Sequence, residues 1–136
     1  MLSISFTCYA IVAAISLIFG LIYLTRTQFM PYHSLALAKS WFEVEPNTQT
    51  LILALMRVAG VGFLATGMTI LVLLAIPFQA GQQWAIYTIP LISLITSLGA
   101  LYATYPFKSR TPGNPPIKLS VVSIILIITG FVFSLV

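Results

Sequence analysis

The sequence predicts an all-α integral membrane protein: an antiparallel bundle of four transmembrane helices with a short interfacial helix in its first connection. Three observations lead there. Four mainly apolar runs, at residues 3–24, 51–76, 84–105 and 119–136, approach or exceed the roughly 20 residues a helix needs to cross a hydrocarbon core of about 30 Å. Hydrophobic residues make up 60% of the 136-residue chain and charged residues 6%, against the roughly one quarter usual for soluble domains. Finally, all six basic residues lie in or flank the first and third connections. A chain of this length and composition is expected to form one membrane domain over 1–136, with no separate soluble unit.

The first run has no Lys or Arg before it, is longer than a signal-peptide core, and is followed by no small-residue cleavage site. A retained helix is expected. It contains Cys8, the one cysteine, so no intrachain disulfide, redox pair or thiolate metal site can form. Cys8 is expected to pack as a small hydrophobe.

The first connection is the most unusual segment. Good helix formers run from Tyr32 to Glu45 between Pro31 and Pro46, with a broad and imperfect apolar face. At about 16 residues the stretch is too short to span, and a helix over 33–44 lying in the interface is expected, with Lys39, Glu43 and Glu45 reaching headgroups or water. Pro46 suits the first turn of the second long helix, with Glu45 or Asn47 as cap. Pro77, Gln79, Ala80 and Gly81 predict a tight second connection, which makes the second and third long helices antiparallel neighbours. Pro106, Pro112, Gly113, Asn114, Pro115 and Pro116 predict an extended third connection. The fourth helix begins near Lys118.

Basic side chains collect on the cytoplasmic face, so the first and third connections are expected there and both termini outside, with a bacterial inner membrane as the expected location. Trp84 and Tyr87 at one boundary, and Tyr23, Trp41, Tyr102, Tyr105 and Phe107 at the other, fit interfacial anchors. The formal charge of +4 would elsewhere suggest nucleic acid, but no basic run is dense and orientation explains the charges. Membrane lipids, a second copy of the chain or a partner membrane protein are the expected partners.

Arg57 is the foremost candidate binding residue. It lies some six residues past the apolar onset, about 9 Å along the axis, where it can snorkel to the inner headgroups or pair with Glu43 or Glu45. Alternatively it clamps an anionic ligand inside the bundle, because Leu53, Arg57, Gly60, Leu64, Gly67 and Leu71 share a stripe whose glycines permit close helix approach. Ser93, Ser97, Ala100 and Thr104 give the third long helix a matching small, hydroxyl-bearing face, read as packing. Pro90 is expected to bend that helix and free the carbonyl of Ile86. His33, Glu43 and Glu45 are candidate companions of Arg57 at the cytoplasmic boundary, yet their spacing matches no metal-ligand motif, and no metal or cofactor is expected. No Asp occurs, and no Glu or His falls within a predicted span, which argues against a proton-coupled carrier of the small multidrug antiporter kind. Paired cysteines, needed by quinone-linked thiol oxidoreductases, are missing. No internal repeat indicates an inverted-repeat transporter.

Tyr32-His33, Leu37-Ala38-Lys39, Trp41, Glu45-Pro46, Gln49, Leu53 to Arg57, Gly60 and Leu64 to Gly67 together resemble small four-helix bacterial membrane proteins to which no activity is attached. The resemblance covers about a quarter of the chain and implies only that the first connection and second long helix form one unit. Lipid-modifying glutathione transferases have a similar size, but their polar motif of glutamate, asparagine and arginines has no counterpart around Arg57. The leading expectation is a non-enzymatic accessory or interaction subunit. The alternative is a membrane-embedded enzyme or binder of a lipophilic anion.

Overall fold

The computed structural model describes residues 2–136, which form helices α1 (Leu2–Thr25), α2 (Pro31–Leu37), α3 (Pro46–Leu73), α4 (Gln83–Arg110) and α5 (Ile117–Ser134). A 3-10 turn at Trp41–Glu43 precedes α3, and a π-helical turn at Leu74–Phe78 extends it. No strand is present among the described residues. Four helices are long and apolar enough to cross a membrane: Ser3–Thr25, Pro46–Phe78, Gln83–Arg110 and Ile117–Ser134.

Three elements differ from the sequence reading. The predicted 33–44 helix is split, because α2 stops at Leu37 with Ala38 in the left-handed conformation at φ 51°, and only the single turn Trp41–Glu43 follows. Lys39 N–H donates to the Ser34 carbonyl and Ser34 Oγ to the Lys39 carbonyl at 2.8 Å, bonds that close the helix end locally. Helix α3 starts at Pro46 with Glu45 as its N-cap, as expected, since proline at the first helical position has no amide to leave unpaired, but its far end differs: the π-helical turn carries the helix through Pro77 to Phe78 instead of stopping at the proline. Helix α4 runs through Pro106 to Arg110, where Thr111 N–H and Thr111 Oγ1 donate to the Phe107 carbonyl at 3.1 and 2.7 Å. These bonds finish the helix beyond the proline.

Packing places the helices in a definite order of contact. Helix α1 lies most extensively against α3 and also packs on α5, α4 packs on α5, and the α3–α4 seam is sparse. Gly20 and Gly60 explain the first contact. A Cβ on Gly20 would stand 2.8 Å from the Gly60 carbonyl oxygen, and one on Gly60 would stand 2.8 Å from the Leu24 amide nitrogen. The two backbones touch, which only glycine on both sides permits.

Two cores stabilise the bundle at different levels. Tyr9, Val12 and Ala13 of α1 meet Ile70, Leu74 and Phe78 near the end of α3, with Ala85 and Ile89 of α4 and Ile127 of α5. At the end carrying α2, Phe29, Val44 and Met56 form a smaller cluster backed by Tyr23, Met30 and Trp41. All six basic residues belong to the elements at this second end.

Candidate functional site

Between the two cores small and hydroxyl-bearing side chains are interspersed with Ile15, Leu119 and aromatic rings, and a cavity of about 200 Å³ remains. Ser16, Phe19 and Tyr23 of α1, Tyr32 of α2, Ala59 and Phe63 of α3, Thr96, Ser97, Ala100 and Thr104 of α4, and Ser120 and Ser123 of α5 contribute to its wall. Phe19 and Phe63 meet edge to face at 5.2 Å and form an aromatic side. Ala103 also lines the cavity yet is exposed, so the wall is thin beside the α3–α4 seam.

Hydroxyls in this wall fall into two groups. Thr96 and Thr104 donate to carbonyls of their own helix, at Ile92 and Ala100, and Thr96 also bonds Thr66 across the seam at 3.0 Å. Such bonds satisfy the donor inside the helix. Ser16, Ser97 and Ser123 are only 7%, 8% and 5% exposed and line the cavity, whereas the buried side-chain oxygens left without a hydrogen-bond partner among the described residues are Ser5 Oγ and the Tyr9 hydroxyl. The hydroxyls of Ser16, Ser97 and Ser123, from three different helices, mark the polar part of the cavity, since each can donate or accept.

The floor on the basic side is built by α2. The Tyr32 hydroxyl bonds the Tyr23 hydroxyl, and the Tyr32 and His33 rings stand edge-on to Phe107 of α4 at 6.1 and 6.0 Å. Burial pushes the Tyr32 phenol above its ordinary value, with the Tyr23 bond adding to the shift. Gly113 lets the third connection sit on this layer, because a Cβ there would meet the Tyr32 carbonyl oxygen at 2.6 Å and Phe107 at 2.5 Å. A shallower depression of about 460 Å³ opens beside the floor, between His33, Leu37, Leu55, Met56 and Phe107.

The residues singled out from sequence take separate places. His33 is half-buried at the depression, its Nδ1 accepts the Met30 amide at 3.3 Å, and burial lowers its pKa. Glu43 is exposed and accepts the Ser40 amide at 2.6 Å, a bond that holds its carboxyl below the usual range. Glu45, also exposed, accepts from Asn47 Nδ2 at 3.2 Å. Arg57 is exposed on α3, level with the Phe29–Val44–Met56 cluster, and lines none of the three principal cavities. Among the described residues, no three His, Cys, Asp or Glu side chains converge as a metal would require.

Gly60 and Gly67 are buried against α1 rather than against α4. Ser93 is buried and donates to Ile89 at 2.7 Å, while Ser97 and Ala100 face the cavity. Sequence reasoning missed Ser16, Ser120, Ser123 and the Tyr23–Tyr32 pair. Hydroxyls at 16, 120 and 123, inside or at the edge of apolar runs, were the signal available for the serines.

The site is therefore a hydroxyl-bearing cavity within an all-helical chain whose four longest helices can cross a membrane. Comparison with protein-family models, curated proteins and solved structures returns no match.

Proposed function

We propose that this chain is a multi-pass membrane protein that acts by binding rather than by catalysis, an accessory component holding a lipid-soluble molecule between its helices. The cavity, lined by three nearly buried serines from three different helices, carries this reading. Membrane insertion is supported by the outward surface, where Ile18, Leu55, Val58, Leu91 and Ile95 are each at least 60% exposed while Ser5, Ser16, Ser93, Ser97 and Ser123 are buried. Such an inside-out distribution suits lipid, since apolar patches of this extent on a soluble monomer drive association.

The helices run antiparallel in this reading. Gly20 faces Gly60 and Leu64, whereas Leu17 and Ala13 face Gly67, so ascending positions on α1 meet descending ones on α3. The end with Arg26, Lys39, Lys108, Arg110 and Lys118 faces the cytoplasm, and the start of α1, the π-helical turn and the end of α5 face outward. Arg57 acts as an inner-leaflet anchor at this boundary. Gly62 and Gly99, whose absent side chains would meet nothing within 4 Å, offer flat positions to a second copy or a partner helix.

Two measurements test the proposal. In a Cys8→Ser background, an impermeant thiol reagent applied to intact cells should label Gln82→Cys but not Ser109→Cys. Native mass spectra of the purified protein should carry a retained amphiphile that survives Arg57→Leu and disappears with Ala100→Phe, which fills the cavity. Retention lost through Arg57→Leu in a folded protein would favour the charge-clamp alternative instead.

A further inference from the structure

We propose that the central cavity takes an uncharged, oxygen-bearing head of about ring size, carried on an apolar tail that leaves between α3 and α4. The inference rests on the reading that the bundle binds a lipid-soluble molecule, and it deepens that reading by fixing the chemical class.

Size sets the first limit. A cavity of about 200 Å³ exceeds the roughly 150 Å³ that houses a benzene, and falls far short of a whole lipid. The head alone fits, and the rest must lie outside. Ala59 and Ala103 provide the passage, because both line the cavity with the smallest side-chain bulk and Ala103 is exposed beside the sparse seam.

Charge sets the second. No Lys, Arg, His, Asp or Glu lines the cavity. Its ionisable groups are the two tyrosines, which bond each other and are neutral near pH 7. An ionised head would be desolvated with no countercharge, a heavy penalty.

Hydrogen bonding sets the third. Ser16, Ser97 and Ser123 converge from α1, α4 and α5, each more than nine-tenths buried, and each hydroxyl can donate or accept. Water alone suits them poorly, because Ile15, Phe19, Phe63 and Leu119 make most of the surrounding wall apolar. A carbonyl or hydroxyl oxygen on a compact neutral head answers both surfaces. A monoacylglycerol and a short-tailed benzoquinone share that chemistry.

The test uses the full chain in nanodiscs and two radiolabelled probes, a monoacylglycerol and a decyl-tailed benzoquinone, with laurate as the anionic competitor. Saturable binding of either neutral probe is expected, and the stronger one identifies the source. Laurate should compete at least about tenfold more weakly, and Ser97→Ala with Ser123→Ala should weaken binding by about tenfold, the scale of one lost buried hydrogen bond. Ala100→Phe should abolish it. Laurate competing as well as the neutral probes, or the double serine variant binding as tightly as the parent, would overturn the neutral-head assignment while leaving a binding cavity in place. Absence of saturable binding for all three molecules, in protein that remains folded, would overturn the assignment, and an empty native mass spectrum as well would remove the binding function itself.

Discussion

Replacing Gly60 by alanine tests the α1–α3 contact on which the cavity depends. The new methyl group would stand 2.8 Å from the Leu24 amide nitrogen, 2.9 Å from the Gly20 carbonyl oxygen and 3.1 Å from Tyr23 Cβ. Two of these neighbours are backbone and cannot rotate away. Reaching ordinary contact at 3.4 Å requires α1 and α3 to part by about 0.6 Å, the difference between 3.4 and 2.8 Å. Overpacking of this kind costs about 1–3 kcal/mol, partly offset by a helix preference for alanine over glycine of about 1 kcal/mol. Gly62→Ala is the control, since its methyl group meets nothing within 4 Å and only the favourable effect, about 0.5–1 kcal/mol, remains. Unfolding in micelles, followed by circular dichroism against denaturing detergent, should rank Gly62→Ala above the parent and Gly60→Ala below it by up to about 2 kcal/mol. A Gly60→Ala protein as stable as Gly62→Ala would refute the backbone contact and the α1–α3 register with it.

Two further outcomes follow from the α2 layer. Ala38 holds the left-handed conformation that glycine adopts freely, so Ala38→Gly should firm the end of α2 by up to about 1 kcal/mol and slow proteolytic nicking between Leu37 and Trp41; faster nicking would contradict it. Burial depresses the His33 pKa, so the folded state favours the neutral ring, and its contribution is complete above the unfolded value near 6.5 and lost as pH falls through the lower folded value. In a Trp84→Phe background, Trp41 fluorescence should therefore change on acidification below about pH 6.5, and His33→Gln should remove the change; an identical titration in the variant would sink the assignment.

Much of the helical layout was legible because apolar length and proline position are local properties. Pro46 and the proline cluster from Pro112 to Pro116 mark connections in the sequence and bound them in the structure, while Pro77 falls inside the π-helical turn just before the second connection. The end of α2 was not legible, since Ala38 has no glycine to announce a left-handed residue and Lys39 and Ser40 look equally helical. Pro106 misled in the opposite direction, because the Thr111 side chain that closes the following turn has no special weight in a sequence pattern.

The cavity was harder to see for a geometric reason. Ser97 and Ala100 read as packing residues on one helix, and their meaning changes only when Ser16 and Ser123 arrive from helices far away in the chain. Similarly, Gly60 and Gly67 announced a close helix contact, but periodicity within α3 carries no information about which neighbour fills it. Gly20 supplies that answer only after folding.

The link between the π-helical turn and α4 is four residues long, 79–82, and contains no ionised side chain. In the proposed orientation, with the first and third connections on the cytoplasmic side, this link would be the one internal segment to pass through the hydrocarbon interior. On that proposal Gln79 and Gln82 would be the polar load on the passage, and α3 and α4 would be threaded without any fixed charge dragged across.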